Sequence, residues 1–168
     1  MKPSVLLLFL MLLLLSSSSP EDFHNPSEYF PILMETQDLE RSIMFLDTRE
    51  IRLPGKIYYK DGMIYLIEKY QGVHVIYNHD PSNPVNIGFI NIPGCIDIAV
   101  RNNSLLADNA TDLVSVYIRN LDKLEVTERI KNVFPESTPP DLDYIPYMFT
   151  PSNRPENTVI IGWKKMYR

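Results

Sequence analysis

A chain of 168 residues, 45% hydrophobic, 11% aromatic and 22% charged, has the apolar mass for one packed core and is not a disordered chain. A net charge of -5 and an isoelectric point near 5.2 exclude a general nucleic-acid binder, because phosphate neutralisation needs an excess of Lys and Arg. The single cysteine, Cys95, excludes an internal disulfide, and three histidines supply no Cys/His cluster for structural zinc.

Residues 1–19 read as an export signal. Met1-Lys2 gives a positive start, residues 5–15 are an unbroken apolar run, and Ser16 to Ser19 offer small residues to a signal peptidase. The run is too short for a membrane-spanning helix, which needs about 20 residues. A lipid anchor would require a Cys where the serines stand. The expected product is therefore an exported periplasmic, extracellular or cell-surface protein without a transmembrane segment. Asn102-Asn103-Ser104 and Asn109-Ala110-Thr111 have the form of glycosylation acceptors, but matches of this kind arise by chance in an Asn-rich chain.

Residues 20–50 form an N-terminal extension. Its first part is polar and Pro-bearing, residues 37–42 read as a short helix, and residues 43–53 read as an edge strand leading into Pro54-Gly55.

From residue 51 to 131 the chain reads as two β repeats, 51–91 and 92–131. Leu53-Pro54-Gly55 recurs as Ile92-Pro93-Gly94. Further on, Tyr65, Leu66, Ile67 and Glu68 match Leu105, Leu106, Ala107 and Asp108; Val73, Ile76, Tyr77 and Ile90 match Leu113, Val116, Tyr117 and Ile130. A period of about 40 residues with β chemistry is the signature of a propeller blade. Four strands are expected in each unit: 56–60, 63–68, 73–78 and 85–92, then 95–101, 104–108, 113–118 and 124–131. Asp61-Gly62 is a strong two-residue hairpin signal, and Asp80-Pro81-Ser82-Asn83-Pro84 forces a bend before the fourth strand. Runs such as Met63-Ile64-Tyr65-Leu66-Ile67 imply strands covered on both faces.

Residues 132–168 form a Pro-rich tail ending in a strand at 159–163. Six prolines from Pro135 to Pro155 exclude helix, and Tyr144, Tyr147 and Phe149 are expected to dock on the sheets.

Gly72-Val73-His74-Val75-Ile76-Tyr77-Asn78-His79-Asp80-Pro81-Ser82-Asn83-Pro84, followed by Ile87-Gly88, resembles the LVIVD repeat of short bacterial surface and secreted proteins. Gly94, Leu106-Ala107-Asp108 and Leu113 resemble the next copy, and Arg154-Pro155-Glu156-Asn157-Thr158 to Trp163 resembles the family's C-terminal end. The signature's closing Asp is replaced by Tyr77 and Tyr117, and Asp112 stands where Gly is usual. The resemblance implies a propeller-like, all-β fold and no established activity.

No catalytic, metal or cofactor set stands out. His74 and His79 read as partly exposed strand residues rather than ligands, and substitution of either is expected to be nearly neutral. Cys95, after a Pro-Gly in an apolar run, reads as a small buried residue rather than a nucleophile. No Gly-x-Ser-x-Gly elbow is present. Asp108-Asn109-Ala110-Thr111-Asp112 and Asp141-Leu142-Asp143 cluster oxygens that could contribute to a Ca²⁺ site, but neither has enough, and both read as solvated turns. Pro54-Gly55 and Pro93-Gly94 read as the starts of the two units, with Gly162 expected to tolerate a side chain better than either.

Two blades leave sheet edges open, and closed propellers use four to eight. The N-terminal strand and the tail are expected to cover the edges, with homo-oligomerisation as the other solution. The function expected is that of a non-enzymatic binding or scaffolding protein of the cell envelope, its partner a protein or glycan. The alternative is a polysaccharide hydrolase or lyase, on fold analogy alone.

Overall fold

The computed structural model describes residues 25–166. The leader read at 1–19 lies outside the described residues. Among the described residues eleven strands dominate: β1 (Tyr29–Glu35), β2 (Met44–Leu46), β3 (Pro54–Lys60), β4 (Met63–Glu68), β5 (Gly72–Tyr77), β6 (Val85–Asn91), β7 (Ile98–Arg101), β8 (Ser104–Asn109), β9 (Asp112–Tyr117), β10 (Glu125–Ile130) and β11 (Thr158–Lys165). One helix, α1 (Thr36–Arg41), and 3-10 turns at Leu121–Lys123 and Tyr147–Phe149 complete the elements of these described residues. The protein is mostly β and antiparallel. Its strands form a five-stranded sheet in the order β2-β6-β5-β4-β3, a four-stranded sheet in the order β10-β9-β8-β7, and a two-stranded β1–β11 ribbon.

Local chemistry explains the two meanders. Asp61 and Gly62 both take positive φ, 50° and 75°, and close the β3–β4 hairpin with Lys60 opposite Met63. In the second meander Asn102 takes φ 55°, which Asn accepts more readily than most residues, and Arg101 faces Ser104. Alternation then sends Tyr65, Val73, Val75 and Ile90 from one sheet, and Val100, Leu105, Ala107, Val114 and Val116 from the other, into a shared core. The Tyr58 hydroxyl donates to Val100 O at 3.0 Å, tying the two sheets together.

Facing residues correct the internal alignment. Ile67 opposes Val73, whereas Ala107 opposes Val114, so the second unit carries one more residue between its second and third strands. Val73 therefore corresponds to Val114 rather than Leu113. Ile90 opposes Val73 and is fully buried, whereas Ile130 opposes Leu113 and is half exposed, so these two are not equivalent. The Pro-Gly pairs differ as well. Pro54 is the first residue of β3 and opposes Glu68, whereas Pro93-Gly94 lies in the turn between the sheets, ahead of β7.

That turn is a clasp. Ile92 N donates to Gln71 O, Gly94 N to Tyr70 O and Tyr70 N to Cys95 O, while the Asn109 side chain donates to Pro93 O at 2.7 Å. Gly94 has φ +83°, and a Cβ there would lie 2.5 Å from Ala110 N, so the clasp needs glycine. Gly162 presses against Tyr70, where a Cβ would meet Tyr70 Cβ at 2.9 Å. The expectation that Gly162 is the tolerant position is thus wrong: Gly55, with ordinary φ and its tightest contact 3.2 Å from an Ile67 methyl, is the milder one.

The flanks depart further from expectation. The strand read over 43–53 is only β2, which pairs with β6. Residues 47–53 instead form a strap across the outer face of the five-stranded sheet, with Arg49 over the Phe89 ring at 4.7 Å. Residues 29–35, passed over as polar and Pro-bearing, are β1, which pairs with β11 rather than covering an edge of either larger sheet. In the tail, Phe149 packs edge-on against Phe30 and Trp163, and Trp163 Nε1 donates to Ser137 O at 3.0 Å. Tyr144 and Tyr147, by contrast, remain more than half exposed.

Candidate ligand groove

The tail does not close over the outer face of the four-stranded sheet. It leaves a groove of about 840 Å³, floored by Ala99, Leu106 and Leu113, walled by Phe134 and Ile160, and ended by the Gly94 and Ala110 turns. Alternation along β7, β8 and β9 turns these residues away from the shared core. Phe134 is held beside them because its N–H donates to Thr111 O at 2.9 Å.

Four carboxylates line the groove: Asp97, Asp108, Glu136 and Asp143. Asp108, at the end of β8, accepts from Ile96 N at 3.0 Å and Asp97 N at 2.8 Å. Burial nevertheless pushes its carboxyl above the ordinary value. Asp97 pairs with Lys56, whose hydrogen bond holds its carboxyl below the ordinary value despite partial burial. Glu136 is held by the Arg154 guanidinium and accepts from Ile160 N at 3.3 Å. Three of the four are therefore engaged by the protein itself, while Asp143 is exposed. Asp108→Ala should cost about 2 kcal/mol in urea unfolding, because it leaves two backbone N–H groups without their acceptor.

The residues singled out from sequence fall at separate places. Asp112 does not join Asp108; it pairs with Arg129 at 2.8 Å and accepts from Asn132 N at 3.1 Å. Asp141 takes the Ser27 hydroxyl and Glu28 N, each at 2.7 Å, and so anchors the start of the described chain. Cys95 is fully buried, and burial, followed by the charge of Asp108, pushes its thiol well above the ordinary value. That suppresses the thiolate a nucleophile needs. His79 is exposed and stacks on Tyr77, with ring centroids 4.8 Å apart.

His74 overturns its expectation. It is fully buried rather than partly exposed, and its Nε2 lies 3.2 Å from Glu68, itself 1% exposed. Glu68 also accepts from the N–H groups of Arg52 and Leu53 and so pins the strap. Burial works against its charge, but the hydrogen bonds from Leu53, Arg52 and His74 outweigh burial and hold its carboxyl below the ordinary value. Sequence reasoning missed this pair, and it missed Phe134, Glu136 and Arg154 around the groove. The one available signal was the match of Glu68 with Asp108, two carboxylates that each accept N–H groups from the chain entering their own meander.

Comparison with protein-family models, curated proteins and solved structures finds no match to this chain.

Proposed function

We propose that this chain is an exported, non-enzymatic binding protein of the cell envelope, built on a propeller-like scaffold of LVIVD-type repeats, with its ligand seated in the groove beside the tail. The observation that carries the reading is the groove itself: about 840 Å³ of mainly apolar wall, with acidic groups along it. Such a lining suits an apolar ligand with one polar or basic group to meet the exposed Asp143, such as a segment of an envelope protein. Two antiparallel meanders of four strands packed face to face support the blade reading. The engagement of Asp97, Asp108 and Glu136 by protein groups favours binding over acid–base chemistry on a glycan.

Titration with a neutral, environment-sensitive dye should give saturable binding. Ala99→Arg, an exposed substitution on the groove floor, should weaken it at least tenfold without lowering the melting temperature. Equal dye binding by both proteins would remove the groove from the proposal. Release of product from a panel of envelope glycans would replace the binding reading with a hydrolase or lyase. Recovery of an intact Met1 by mass spectrometry would overturn export.

A further inference from the structure

The five-stranded sheet is apolar on both faces, and only one of them meets the four-stranded sheet. On its outer face Tyr59 opposes Ile64, Ile64 opposes Ile76 and Ile76 opposes Asn86, with Ile87 next to Asn86 at a register shift and Leu46 opposite Phe89 at the far edge. Tyr59, Ile64, Ile76 and Ile87 thus form an apolar row across β3 to β6, and Ile57 and Leu46 stand at the two ends of the next row, which runs through Leu66, His74 and Phe89. Ile57 is 67% and Tyr59 62% exposed, far beyond what isolated surface apolar residues require. The strap covers His74 and Phe89 but leaves this row open, and adds Ile51 and Leu53, themselves 41% and 50% exposed, along its side.

We infer that this face is a self-association surface, on which two copies of the chain pack five-stranded sheet against five-stranded sheet about a two-fold axis. This inference is independent of the groove, which lies on the other sheet. Area is the first reason for a second copy as the occupant. At about 200 Å² for a fully open large side chain, the open fractions of Ile57, Tyr59, Ile87, Leu46 and Met44 with the two strap residues come to roughly 700 Å² per copy. A stable interface of standard size takes about 800 Å² from each partner. Charge is the second reason. The row holds no ionised group, so this acidic chain can meet a copy of itself there without burying like charges. Its rim carries the ion pairs Arg52–Glu50 and Lys60–Asp61, and Arg49, over Phe89, donates to Gln71 beside them. A two-fold rotation can set the bases of one copy beside the acids of the other.

Sedimentation equilibrium of the purified protein across the micromolar range should give twice the chain mass. Ile57→Lys and, independently, Tyr59→Lys should each raise the dissociation constant at least tenfold, with circular dichroism unchanged because both sites are exposed. Ile130→Lys, on the outer face of the four-stranded sheet, should leave the dimer intact. A monomer throughout the range, a dimer indifferent to both substitutions on β3, or one equally weakened by Ile130→Lys would overturn the inference. A monomer that binds neutral lipid vesicles through the row would assign the face to a membrane surface instead.

Discussion

Glu68→Ala is expected to destabilise the chain by about 3–5 kcal/mol, the largest effect of any single polar substitution in the five-stranded sheet. The carboxylate has three donors: two part-buried backbone N–H groups of the strap and the Nε2 side of the fully buried His74. Ala leaves each of them unpaired, and the strap loses its anchor over Phe89. Glu68→Gln keeps one acceptor oxygen and should recover part of the loss. The pH dependence has a definite sign. A carboxyl held below its ordinary value of 4.5 in the folded state stabilises that state above pH 4.5, and the contribution fades as pH falls through the folded value. The gap between wild type and Glu68→Ala in urea melts should therefore narrow between neutral pH and about pH 3. A gap that stays constant, or widens, would show that Glu68 is not ionised in the folded chain. His74→Ala, expected from sequence to be neutral, should also destabilise, since it opens a cavity against Phe89, whose ring centroid lies 4.9 Å away.

Gly72→Ala should lower stability by more than about 2 kcal/mol, a fall of roughly 4–8 °C in melting temperature. Gly72 has φ +140°, and a Cβ there would stand 2.1 Å from Ile90 O and 2.7 Å from Ile92 N. Both atoms are backbone, so no rotamer change relieves the contact. Gly55→Ala is the comparison, with ordinary φ and its tightest contacts 3.2 and 3.3 Å from the Ile67 side chain, where a shift of a few tenths of an ångström suffices. Equal melting temperatures for the two variants would mean that β5 and β6 do not approach as closely as described. The second meander has Asp112 near the corresponding turn, where its side chain is turned to Arg129 and the Asn132 N–H instead.

What was legible in the sequence was local. Asp61-Gly62, the prolines after Asp80 and the alternation of apolar residues located β3 to β6 closely, because each signal acts within a few residues of itself. β1 was hidden because it contains Pro31 and draws its order from β11, a partner more than a hundred residues away. His74 was misjudged because alternation identifies the face of a strand but not what crosses above it, and residues 47–53 carry no pattern that announces a strap. The groove was illegible for the same reason: Phe134 and Glu136 meet Leu106 and Ile160 only after the tail has docked.

The pairing of Tyr29 with Lys165 joins the two ends of the described chain. A polypeptide emerging from its N-terminus can complete both meanders, whose contacts are short in sequence, long before β1 finds β11. The ribbon can form only once residues 158–165 have been made, and any nascent chain stopped short of residue 158 would carry β1 without its partner.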